Sequence, residues 1–141
     1  MWVSYLVDEV LGGPVTLEYW LGEVDELVVE VRARNLAGVR EEWSDVVCLG
    51  LAHLVTRGWT WVRHLPLLPG LGLYAAKKFE ARLETWSRIF YVHGVEFRRE
   101  YIIGGGNFRK LRKVCAALAL AGIEEDKVNV GWLRAAGICT E

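Results

Sequence analysis

Several features that would settle the class of this 141-residue chain at once are missing from it. Its three cysteines, Cys48, Cys115 and Cys139, form no CxxC pair, and their odd number argues against a disulfide framework. The formal net charge is −1, which offers no global attraction to nucleic acid or to an acidic membrane surface. Arg, His, Gly and Pro interrupt the apolar runs before any reaches the roughly 20 residues of a spanning helix. The start, Met1-Trp2-Val3-Ser4, has neither the basic n-region nor the apolar stretch of a signal peptide. A reduced, cytoplasmic protein that does not enter a membrane is therefore expected. Internal repeats, low-complexity tracts and a GxxxxGK(S/T) phosphate loop are also missing.

Apolar side chains, by contrast, are plentiful. They make up 52% of the chain, which is enough for one domain with a substantial core. The seven tryptophans are expected mostly in that core or in an oligomer interface. Residues 2–11 are a short helical candidate, ended by Gly12-Gly13-Pro14. Thr16 reads as an N-cap, followed by an apolar stripe at Leu17, Trp20, Leu21, Val24, Leu27, Val28 and Val31. Asn35-Leu36-Ala37-Gly38 reads as a break, and a second long helix is expected over about 39–55. The short break makes these two helices neighbours, most simply antiparallel. After a long connection at 58–72, a third helix is expected over 73–91. An extended segment or hairpin arm follows at 95–103, then a helix at 108–121 opened by Asn107, and a last one near 128–136. The expectation is an all-α single domain over residues 1–141, with a core at about 1–94 and an extension at about 95–141.

Two acidic pairs stand out: Glu23-x-x-Glu26 and Glu42-x-x-Asp45. A spacing of three on a helix places both members of a pair on nearly the same face. If the two helices are antiparallel, the pairs face each other across the seam, and four crowded carboxylates call for a neutralising cation. Mg²⁺ prefers carboxylate oxygens and leaves positions for phosphate and water; Mn²⁺ is a possible substitute. Such a site suits hydrolysis of a phosphoanhydride, with a carboxylate taking the water's proton. Lys78 and Arg82, at i,i+4 on the third helix, supply positive charge for the phosphates.

Glu23-Val-Asp-Glu26, fifteen residues, then Glu42-Trp-Ser-Asp45 resembles the ExxE…ExxD signature of the MazG-like superfamily of all-α nucleoside triphosphate pyrophosphohydrolases. The apolar run from Val46 to Leu54 is similar to that family's second metal helix. Lys78-Phe79-Glu80-Ala81-Arg82-Leu83 is similar to its KFxxRF-type segment. The resemblance covers residues 17–90. It implies a MazG-like helical bundle that hydrolyses a nucleoside triphosphate to the monophosphate and pyrophosphate. It implies that Glu23, Glu26, Glu42 and Asp45 hold Mg²⁺, that Glu23 or Glu26 also positions the water, and that Lys78 and Arg82 contact the phosphates. A homodimer or homotetramer is implied as well. Gly22, where the family often has another glutamate, and Trp43, where it has a smaller residue, are departures.

Other residues read more plainly. Glu30 and Glu41 are expected at the surface, His53 packed or at an interface, and Trp20 and Trp43 in packing, with base stacking the alternative. A ferritin-like di-metal bundle needs a Glu-x-x-His pair, and none occurs. Two alternatives stay open: an inactive scaffold or regulatory protein of the same fold, and a nucleic-acid-binding module on the C-terminal helices with their basic start.

Overall fold

Val3, Leu6, Val10 and Leu11 are all fully buried, yet the segment that carries them is not one regular helix. Helix α1, Val3–Tyr5, runs directly into a π-helical stretch, Leu6–Leu11. The wider π turn aligns residues four and five apart, which brings Leu6, Val10 and Leu11 onto one face. Gly12, at φ 65°, ends it by donating its N–H to the carbonyl of Val7. The computed structural model describes residues 1–98 and 111–135, and among these the fold is all-α, without a strand. Gly104-Gly105-Gly106, the expected Asn107 cap, much of the segment after Val95 and the start of the basic cluster at Arg109 lie outside the described residues. No helix among the described residues is long and apolar enough to cross a membrane. The chain divides into two compact units, Met1–Phe79 and Glu80–Glu141.

In the first unit, α2 spans Leu17–Arg32 and α3 spans Leu36–Thr56. Thr16 caps α2 as expected, its hydroxyl accepting the N–H of Tyr19 at 3.1 Å. Asn35 stands at the break the sequence suggests and is also the N-cap of α3, its side-chain oxygen accepting the N–H of Gly38, so that α3 begins at Leu36 and not near Val39. The same residue closes α2: Asn35 N–H bonds to the carbonyl of Glu30 and Arg34 N–H to that of Val31. That is a Schellman closure, and it puts Arg34 in the left-handed region at φ 54°, where glycine is usual. One asparagine thus ends one helix and starts the next. Trp20 packs against Gly50 and donates its indole N–H to the carbonyl of Val46 at 2.9 Å, whereas Glu30 lies beside Gly38. Residue numbers fall along α3 as they rise along α2, so the pair is antiparallel.

The expected apolar stripe of α2 is only partly covered. No residue of α2 is buried, and Leu17, Leu21, Val28 and Val31 are exposed. The buried apolar side chains of α3, Val46, Cys48, Leu49 and Ala52, belong to the core of the first unit. Backbone bonds from Val3 N–H to Leu65 and from Leu67 N–H to Met1 tie the N-terminus to the connection. Within that connection Leu68-Pro69-Gly70-Leu71 forms a β-turn, with Leu71 N–H on the carbonyl of Leu68 at 2.8 Å and Gly70 at φ 81°. Proline followed by a positive-φ glycine is the type II pattern.

Helix α4, Leu73–Val92, starts in the first unit. Gly72 before it has φ 90°, and a Cβ there would lie 3.1 Å from the backbone N and 3.2 Å from the Cα of Cys48. Gly72→Ala is expected to destabilise the protein by about 3 kcal/mol, from left-handed strain and a backbone clash that cannot rotate away. Gly70→Ala has the strain but open space around it, so about 1 kcal/mol is expected. Urea unfolding of the two variants tests the contrast.

In the second unit, Trp86, Ile89 and Phe90 of α4 form a buried core with Val114, Ala117 and Leu118 of α5, Leu111–Leu120, and with Leu133 of α6, Val130–Ala135. His93 Nδ1 faces the carbonyl of Ile89 at 2.8 Å and so carries the proton, which leaves Nε2 to accept the N–H of Asn129 at 2.9 Å. Asn129 in turn accepts the N–H of Trp132 and caps α6.

Candidate functional site

The antiparallel seam brings the first acidic pair against the second. Carboxylate oxygens of Glu23, Glu26 and Glu42 all lie within 4.8 Å of one another. Glu26 is exposed, and the other two are half-buried. One oxygen of Glu23 and one of Glu42, Oε2 in each, is shut off from solvent and receives no hydrogen bond. A buried carboxylate oxygen without a donor is costly, and both belong to members of the trio.

Electrostatics reports the same crowding. The Glu23 carboxyl is pushed up to about 7, first by burial and then by the charges of Glu26 and Asp45, with Lys78 opposing. Glu42 is pushed up to about 8 by burial, by Glu26 and Asp45, and more weakly by Glu23. A hydrogen bond from Glu26 to either neighbour exists only when one of the two carboxyls is protonated. The cluster therefore has two ways to relieve its repulsion, by holding protons or by holding a cation.

Asp45 stands beside this trio but is engaged differently. It is buried, and its Oδ1 accepts from Lys78 Nζ at 2.7 Å. The same ammonium lies 3.9 Å from Glu41. Lys78 is thus in the acidic cluster, where it neutralises Asp45. Arg82, one turn further along α4, belongs to the second unit and is buried.

Two positioning contacts were not visible in the sequence. Ser44 Oγ accepts the N–H of Ala75 at 2.8 Å, so α3 caps the first turn of α4 and fixes where Lys78 emerges. Glu41, expected as a plain surface acid, shares Lys78 with Asp45. Ser44 lies inside the Glu42-x-x-Asp45 pair, but nothing local shows that a helix start more than thirty residues away would dock there. Other expectations resolve simply. His53 is packed, with Nδ1 2.6 Å from the carbonyl of Val15. Glu30 accepts from Asn35 Nδ2 at 2.9 Å and braces the turn. Trp20 is a packing residue at Gly50, and Trp43 is half-exposed with its indole N–H bonded to the carbonyl of Gly70 at 3.0 Å.

The donor set suits a hard divalent cation: three clustered carboxylates, two of them with a buried oxygen that lacks a partner, and no sulfur or imidazole in the trio. No protein-family model matches the chain, and neither a curated protein nor a solved structure is significantly similar to it.

Proposed function

We propose that the chain is a Mg²⁺-dependent nucleoside triphosphate pyrophosphohydrolase of the MazG-like kind, releasing a nucleoside monophosphate and pyrophosphate. The observation that carries this reading is the trio Glu23, Glu26 and Glu42, with its two orphaned buried oxygens, on an antiparallel helix pair. These three side chains would hold the cation, with Asp45 at the edge of the set. When bound, Mg²⁺ neutralises phosphate charge and makes water more acidic.

The chain's own residues supply the rest. Glu26 is the exposed member of the trio and, with Glu23, is the candidate to orient the attacking water and accept its proton. Lys78 already sits between two carboxylates, and triphosphate oxygens offer it an equivalent anionic partner. Arg82 is assigned to the phosphates by the resemblance alone. The reading includes a homo-oligomer, supported by the exposed Leu17, Leu21, Val28 and Val31 of α2. It includes a reduced, cytoplasmic setting, supported by the unpaired Cys48 and Cys115.

The test is a screen of the purified protein against ribo-, deoxy- and modified nucleoside triphosphates, following pyrophosphate release. At least one is expected to turn over with Mg²⁺ or Mn²⁺ and none in the presence of a chelator. No turnover of any triphosphate, together with no Mg²⁺ binding by calorimetry, would sink the proposal.

A further inference from the structure

A cavity of about 590 Å³ opens on the first unit, walled by Arg40, Glu41 and Trp43 of α3, Gly70 of the connection and Tyr74 of α4. Its size is that of a small-molecule pocket. Its two aromatic walls are available and held in place. Trp43 is 46% exposed and Tyr74 60% exposed, so each presents ring surface to solvent. The indole of Trp43 is tied by its N–H to Gly70, whose own position is set by the Pro69-Gly70 turn. Tyr74 is carried by the backbone turn of α4 that Ser44 anchors through Ala75. Arg40 and Glu41 add a hydrogen-bond donor and an acceptor to the wall.

The cavity is joined to the acidic cluster through one ammonium. Lys78 contacts Glu41 on the cavity wall and Asp45 beside the carboxylate trio. A ligand with a flat ring in the cavity would have its attached chain leave past Lys78 toward the carboxylates. We infer that this cavity takes the nucleobase of the substrate, stacked by Trp43 and Tyr74 and read at its edge by Arg40 and Glu41. The inference rests on the pyrophosphohydrolase reading and deepens it. It also accounts for Trp43 inside the second acidic pair: the residue next to Glu42 lines a pocket.

Stacking on an aromatic face contributes enough that its loss weakens binding by about tenfold or more. The four ribonucleosides adenosine, guanosine, cytidine and uridine, titrated calorimetrically into the whole chain without metal, give a readout independent of cation and turnover. At least one nucleoside should bind, with affinity falling about tenfold or more in Trp43→Ala and in Tyr74→Ala. Trp43→Phe, which keeps a stacking face, should stay within about threefold of the parent. In turnover assays the two alanine variants should raise KM for the triphosphate, while inhibition by inorganic tripolyphosphate, which has no base, should be unchanged. Parent-like nucleoside affinity and KM in both alanine variants, or no nucleoside binding at all, would overturn the inference while triphosphate turnover left the enzymatic reading standing. Absence of any turnover would bring down the reading beneath it.

Discussion

Glu42→Gln is expected to abolish Mg²⁺-dependent triphosphate hydrolysis while leaving the metal-free protein at least as stable as the parent. The two effects have one cause. Glu42 is a member of the carboxylate trio, and burial first, then its acidic neighbours, oppose its ionisation. Replacing it with a neutral isostere removes repulsion from the seam and would take away a ligand to the proposed cation. A metal that neutralises phosphate charge contributes several kcal/mol to the transition state, so the rate should fall on the order of 10³-fold. Glu30→Gln is the control, because Glu30 lies on the same helix as Glu23 and Glu26 but only braces the turn, and it should retain full activity. Asp45→Asn is a less clean probe, since it strips Lys78 of its closest partner and is expected to cost stability as well as turnover. Steady-state rates and thermal midpoints measured on the same preparations decide the matter. A Glu42→Gln protein that remains active moves the chemistry elsewhere.

The second large effect is a dependence of stability on pH that divalent cations should reverse. Glu23 and Glu42 have carboxyls raised from 4.5 to about 7 and about 8 in the folded chain. Between about pH 4.5 and 8 the folded state therefore binds more protons than the unfolded state, and stability falls as pH rises through that window. Solvent screening of these half-exposed groups leaves a combined loss of about 2 kcal/mol. Mg²⁺ must displace the same protons, so its apparent affinity should climb with pH across the window. Denaturation midpoints in chelator should drop from pH 5 to pH 8, and saturating Mg²⁺ should flatten or invert the trend. A flat profile in chelator would show that the carboxylates are not in mutual contact in solution.

Local chemistry was the part of this architecture most legible in the sequence. Thr16 as a cap, the span of α2 and the all-α class follow from signals a few residues apart. Helical spacing and a short turn predict that Glu23, Glu26 and Glu42 approach one another, and they meet in the fold. What escaped depends on contacts far apart in the chain. The bond from Lys78 to Asp45 and the capping of α4 by Ser44 need the approach of helices separated by the whole connection. Lys78 and Arg82 share a spacing that suggests one common role. One lies in the acidic cluster, and the other is buried in the second unit.

The turn at Asn35 has a thermodynamic consequence for the acids it separates. Only fifteen residues lie between Glu26 and Glu42, and most of them are helical, with Asn35 closing α2 through its backbone N–H and opening α3 through its side chain. The entropy of closing a loop rises only slowly with its length, and here there is almost no flexible loop to close. The chain loses little freedom when it sets the two acidic helices side by side, so what resists the encounter is charge. Charge, and whatever offsets it, therefore weighs more than backbone flexibility in the free energy of this seam.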